Sequence, residues 1–197
     1  MNNIEQRFWE FITWFGWLPG ILIPVWYIIA IISHSIIQNT IISDGALIHL
    51  GWYYNNQIIA LLLSCLGIFM SYSIGIIIKY FYYKPRPIPR DKSTLWKRIN
   101  AWSMPSIHAS NSLITACALS IATISLTNWA WKYLIMTGWF CYYLSIALSR
   151  IMLKKHYPID VLSGSLLGLI VTIVIVLTSN VAIEFIEPVI YYIIQRY

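Results

Sequence analysis

The sequence predicts an all-α fold, a polytopic transmembrane bundle of five to six spans, on three observations. Of 197 residues, 59% are hydrophobic and only 10% charged, where a soluble domain carries roughly 25% charged residues. The apolar residues gather in long runs near the ~20 residues that one bilayer crossing requires. Ten of the 13 cations (Lys79, Lys84, Arg86, Arg90, Lys92, Lys97, Arg98, Arg150, Lys154 and Lys155) lie in or beside two connecting loops. Five or six crossings use most of the chain, so residues 1–197 are read as one integral membrane domain. A net charge of +6 placed this way suits anionic headgroups at a membrane surface rather than nucleic acid. Cys65, Cys117 and Cys141 fall inside apolar runs without pairing or metal-ligand spacing, and are read as buried packing residues.

Residues 3–16 set Ile4, Phe8, Phe11, Ile12 and Phe15 at helical spacing, with Glu5, Arg7 and Glu10 between them and Trp9 and Trp14 alongside. This is the pattern of an interfacial helix. No small-residue cleavage site follows, so no removable signal peptide is expected. A first span is predicted over 17–37. Residues 38–56 are mixed, with Trp52, Tyr53 and Tyr54 marking an interface. A second span covers about 57–78 and ends at Lys79. Residues 84–105, rich in Pro and cations, are read as a loop. Further spans follow over about 107–127, 131–149 and 159–180. The tail, with Glu184, Glu187 and Pro188, is read as a short sixth helix or an interfacial one. His34 and His49 fall toward the opposite face. Ser110, Asn111, Ser112 and Thr115 are expected to bond across helices, and Gly164 and Gly168 to form a small-xxx-small packing pair.

Helical hairpins of this order bring the second span's end, the third's start, the fourth's end and the fifth's start to one membrane face. Ionisable residues gather there, and at a membrane boundary they are costly and mark function by default. Ser106 can cap the third span, and the N–H groups that follow make an anion site, with His108 beside it. Arg150 offers a planar donor fork for phosphate. If a helix starts at Pro158, Asp160 lies in its first turn and can fold back toward the His156 imidazole. That would fix its tautomer and free the other nitrogen as nucleophile or base. Lys79, Arg86 and Arg150 near one point repel by about 1–4 kcal/mol per pair, a penalty that a bound dianion removes.

Lys79 with Arg86-Pro87, then Pro105-Ser106-Ile107-His108, then Ser149-Arg150 with His156 and Asp160, resembles the three-part signature of the type 2 phosphatidic acid phosphatase (PAP2) superfamily. Six residues separate Lys79 from Arg86, five separate Arg150 from His156, and three separate His156 from Asp160. The resemblance spans about 57–180 and implies a four-helix catalytic core. It also implies that His156 attacks phosphorus to form a phosphohistidine, oriented by Asp160. His108 would protonate the leaving group and later help to activate water. Lys79, Arg86, Arg150, the Ser106 hydroxyl and backbone N–H groups, including that of Ile107, would hold the phosphoryl oxygens. No metal or cofactor is implied. Ile107 departs from the family's usual Gly; an Ile is compatible with a helix start and keeps the backbone N–H, while its branched side chain can crowd the pocket or require a different local conformation.

The substrate so implied is a membrane lipid phosphate or diphosphate. Undecaprenyl diphosphate is the first candidate, followed by phosphatidylglycerophosphate, phosphatidic acid and lipid A phosphate. A lipid phosphotransferase using the same intermediate, and a catalytically impaired lipid-binding member, are the alternatives. An anion transporter would need cations at several depths, and here they gather on one face. Taken singly, the bland readings are a helix-capping pair for His156 and Asp160, a hydrogen-bonded core residue for His108, and a two-histidine metal site lacking a third ligand. Lys84, Arg90, Lys92, Lys97, Arg98, Lys154 and Lys155 are read as solvated charges or headgroup contacts. The loop cations count toward a cytoplasmic site. The resemblance implies a bacterial inner-membrane protein whose site faces the periplasm.

Overall fold

A computed structural model describes residues 3–15, 56, 59–124 and 129–195. The predicted span over 17–37, the aromatic interface at 52–54, His34 and His49 lie outside the described residues. The described elements are helices, in chain order α1 Asn3–Phe15, α2 Ile59–Phe81, α3 Leu95–Ala101, α4 Ile107–Ile124, α5 Trp129–Met152 and α6 Pro158–Gln195. A π-helical turn over Leu63–Gly67 interrupts α2. Among the described residues no strand forms, and Pro85 and Trp102 make an isolated antiparallel bridge.

Four of the helices are long and apolar enough to cross a membrane: Ile59–Phe81, Ile107–Ile124, Trp131–Met152 and Pro158–Ser179. The tail is neither a separate sixth helix nor an interfacial one. It continues α6 unbroken to Gln195, a 38-residue helix that reaches about 57 Å, against ~30 Å of bilayer hydrocarbon.

Helix α4 sits at the centre. Its Ile114 and Ala118 pack with Ala60 and Leu63 of α2 and Val171 and Ile175 of α6. On its other side Ala109 meets Ala147 of α5 and Val161 of α6. The composition of α4 follows from that position. Ala, Ser and Thr dominate its buried residues, because lipid is as apolar as Leu and helices associate there through close packing of small residues. The bulky apolar residues instead face outward, among them Leu66, Phe69 and Ile77 of α2 and Leu162, Leu166 and Leu177 of α6.

Gly164 and Gly168 are the closest contacts of that packing. A Cβ on Gly164 would run into the Ser106 carbonyl oxygen, and one on Gly168 would lie 2.7 Å from the Ser110 carbonyl oxygen. Of the predicted cross-helix bonds, Ser110 makes one, with its hydroxyl 2.6 Å from that of Ser71. The Ser112 hydroxyl donates within its own helix, to the Ala109 carbonyl, and Asn111 Oδ1 has no partner among the described residues. Cys65 and Cys141 are exposed rather than buried, because both lie on outward faces of their helices.

Candidate active site

The C-terminal ends of α2 and α5 and the N-terminal ends of α4 and α6 meet, as the hairpin order requires. Three local devices fix them. First, α5 ends in a Schellman motif: the Lys155 N–H donates to the Arg150 carbonyl at 3.1 Å and the Lys154 N–H to that of Ile151 at 2.9 Å. Lys154 takes the left-handed C′ position with φ 50°, where Gly is usual. The His156 N–H also reaches the Arg150 carbonyl, at 3.2 Å. The five-residue gap between Arg150 and His156 is therefore one closed turn that sets the two side chains together.

Second, α6 begins at Pro158, and the Asp160 carboxylate folds back to accept the Tyr157 N–H through Oδ2 at 2.8 Å. That is the reciprocal half of a capping box, an acid at the third helical position closing on the cap. Third, the Ser106 N–H donates to the Asp160 carbonyl at 2.9 Å, which ties the start of α4 to the start of α6. The first intrahelical bond of α4 runs from the Ser110 N–H to the Ser106 carbonyl at 3.1 Å. The N–H groups of Ile107, His108 and Ala109 thus precede it, as at every helix start.

Residues 84–105, predicted to be a loop, contain the short helix α3, capped by the Thr94 hydroxyl, which accepts the Lys97 N–H at 3.2 Å. An ion pair of Lys97 with Asp91 holds the approach to α3. This segment folds back over the site and supplies carbonyls to its cations. The buried Lys79 ammonium donates to the Trp102 carbonyl at 2.7 Å. Arg86 Nη2 donates to the Asn100 carbonyl at 3.0 Å, and Nη1 to the Lys155 carbonyl at 2.9 Å.

Arg86 Nη1 also lies 3.2 Å from His156 Nε2. Burial, followed by the charges of Arg86, Arg150, Lys79 and His108, holds the His156 imidazole well below its ordinary pKa. The ring is therefore neutral at pH 7 and carries a lone pair. Burial and the nearby Arg90 push Arg86 down to about 10, which still leaves it charged at neutral pH. Arg150 is buried, with Nη1 3.4 Å from the Thr13 hydroxyl of α1. That hydroxyl is 2.9 Å from the Ser149 hydroxyl.

Two expectations are corrected here. The Asp160 carboxylate does not reach the His156 imidazole: Nε2 faces Arg86, and Nδ1 has no partner among the described residues. Its second oxygen instead takes Lys84 Nζ at 2.5 Å, with Asp160 fully buried. Lys84 also stands 5.1 Å from the centre of the Tyr157 ring. Read from sequence as a solvated loop charge, Lys84 is in fact part of the site. A buried carboxylate needs a counter-charge, and after the backward turn onto Tyr157 the nearest cation is Lys84.

The second correction concerns Ile107. Its side chain turns toward α2, where Cγ1 lies 3.0 Å from the position a Cβ on Gly75 would occupy. The branched residue fills space opposite a glycine, and the helix still begins at Ile107. Replacing Ile107 by Gly is then expected to lose about 2–5 kcal/mol of stability through the cavity left beside Gly75, without raising activity. Unfolding in detergent, followed alongside turnover, checks both parts.

Four buried polar atoms of this constellation have no hydrogen-bond partner among the described residues: Arg86 Nε, Arg150 Nε, Ser106 Oγ and His156 Nδ1. Buried polar groups are nearly always paired, and the two Nε–H groups and the Ser106 hydroxyl are donors of the kind a phosphoryl oxygen accepts from. Among the described residues, no three His, Cys, Asp or Glu side chains are grouped to hold a metal ion. Thr13, Lys84, Asn100 and Trp102 were missed from sequence. The two carbonyls carry no sequence signal at all, whereas Lys84 stood two residues before Arg86 and was visible as a neighbour.

No curated protein and no solved structure matches this chain. A family model for the PAP2 superfamily matches residues 60–184. That segment includes Lys79, Arg86, Ser106, His108, Arg150, His156 and Asp160, and its membrane helices place the chain at the level of a lipid phosphatase superfamily. With well over half of its length matched and each of these residues inside the match, the chain belongs to the PAP2 superfamily.

Proposed function

We propose that this protein is a membrane-embedded lipid phosphatase that works through a phosphohistidine, on a lipid phosphate or diphosphate headgroup at the membrane face. The observation that carries the reading is the buried set of unpartnered donors, Arg86 Nε, Arg150 Nε and Ser106 Oγ, around a neutral His156. His156 Nε2, the nitrogen beside the Arg86 guanidinium, forms the bond to phosphorus as the bond to the lipid oxygen breaks. His108 gives its proton to that oxygen. In the second half His108 takes a proton from water, the water oxygen bonds to phosphorus, and the P–N bond breaks to release phosphate and neutral His156. Lys79, Arg86, Arg150, Ser106 and the N–H groups at the start of α4 hold the equatorial oxygens, whose charge grows in the transition state. Asp160 acts through Lys84 and through the turn that carries His156, as a positioning residue.

Undecaprenyl diphosphate is the first candidate substrate, followed by phosphatidylglycerophosphate, phosphatidic acid and lipid A phosphate. The proposed setting is a bacterial inner membrane with the site facing the periplasm. Purified protein, assayed with EDTA present against these four lipids, is expected to release inorganic phosphate from at least one. Labelled phosphoryl groups passing to a lipid acceptor without release would assign a transferase. No turnover of any lipid by folded protein would sink the enzymatic reading.

A further inference from the structure

A cleft of about 390 Å³ adjoins the site on its outer side. Its walls come from three separate parts of the chain: Gln6 and Glu10 of α1, Arg86 and Arg90 of the proline-rich segment, and Lys154 and Lys155 of the turn between α5 and α6. Four cations thus face one acid. Arg86 belongs to both places. Its Nη1 stands 3.2 Å from the His156 nitrogen, while the same side chain lines the cleft. Arg86 is therefore shared between the cleft and the nitrogen proposed to attack phosphorus.

The charges in the cleft are close enough to act on one another. Burial, then Arg150 and Arg90, lower the Lys155 pKa, and Glu10 opposes them. Arg90 likewise lowers that of Arg86. Cations crowded this way repel, and an anion placed among them relieves the repulsion. Of the lining residues, Gln6 and Glu10 of α1 lie outside residues 60–184, the part matched to the superfamily.

We infer that this cleft is a second anion subsite, taking a phosphoryl group linked to the one that His156 attacks, with Arg90 and Lys155 as the residues that select it. The inference rests on the phosphatase reading for its role in turnover, and it makes the favoured substrate a lipid diphosphate rather than a monophosphate. Arg90 is exposed, and both bonds that tie Lys155 into the site are made by its backbone. Arg90→Gln and Lys155→Gln therefore keep the fold.

The test has a binding arm and a kinetic arm. Full-length protein in nanodiscs of neutral lipid is titrated by calorimetry with inorganic diphosphate and with inorganic phosphate at matched ionic strength. The expected result is tighter binding of diphosphate, with each substitution lowering the diphosphate-to-phosphate preference about tenfold, the effect of one charge-assisted contact. The ratio of kcat/KM for an isoprenyl diphosphate over the matching isoprenyl phosphate should fall in parallel. Equal weakening of both anions, or no change in either, would overturn the subsite. Loss of diphosphate binding when phosphatidylglycerol is added to the disc would assign the cleft to a bilayer headgroup and overturn it as well. A diphosphate preference sensitive to Arg90 in a protein that turns over neither lipid would uphold the subsite while removing the phosphatase reading. Turnover without such a preference would do the reverse.

Discussion

Replacing His156 by Ala is expected to lower phosphate release by roughly 10³-fold or more, the scale seen when a covalent nucleophile is removed from a preorganised site. The fold should survive. The His156 N–H bond to the Arg150 carbonyl is a backbone bond, and the neighbouring contacts of Arg86 run to the carbonyls of Asn100 and Lys155. The donors proposed to hold phosphate also remain, so lipid binding should change far less than turnover. Trapping the intermediate gives the sharper readout. Wild-type protein quenched during turnover should carry acid-labile phosphate on His156, and the variant none. A variant that keeps wild-type phosphate release would remove His156 from the chemistry.

Gly164→Ala should do comparable harm from a residue with no functional group. The added methyl would collide with the Ser106 carbonyl oxygen and lie 3.0 Å from the Ser106 carbonyl carbon and 3.1 Å from its nitrogen. All three atoms are backbone, so no side chain can swing aside, and α4 must move away from α6. Overpacking of this kind costs about 1–3 kcal/mol. The shift falls where the Ser106 N–H meets the Asp160 carbonyl. It would displace the Ser106 hydroxyl and the helix-start N–H groups from the positions in which they are proposed to hold the phosphoryl oxygens. Misplacement of about 1 Å lowers rates by around 10²-fold, so catalytic efficiency is expected to fall by roughly one to two orders of magnitude. Gly138→Ala is the control, because nothing lies within 4 Å of the added atom. If Gly164→Ala matches the Gly138 variant in melting temperature and catalytic efficiency, the close approach of α4 and α6 is not what assembles the site.

Much of the site was legible because each motif marks a place where a helix starts or stops. Pro158 starts α6, Pro105 and Ser106 precede α4, and Lys79 and Arg150 close apolar runs. Helices that alternate direction must bring such ends to one face, and that topology follows from the order of apolar runs alone. The partnership of Asp160 was not legible. Spacing places its carboxylate in the first turn of α6, but the backbone cap at Tyr157 takes one oxygen and a lysine 76 residues away takes the other. The second partner depends on where the fold delivers Lys84. The accommodation of Ile107 was equally hidden, since it depends on Gly75 standing opposite in another helix.

From the sequence by itself came the membrane-spanning character of the helices, the order of the described spans, and the shared face to which their motif-bearing ends are brought. These rest on hydropathy, helix-end chemistry and short spacings, all of which are local. Tertiary structure alone decided that Lys84 pairs with Asp160, that α3 and its flanking carbonyls cover Lys79 and Arg86, and that α1 walls a cationic cleft beside them. It also decided that the tail extends α6. The first three are contacts between residues far apart in the chain, selected by which charge and which shape arrive at the same place. No local pattern carries that information.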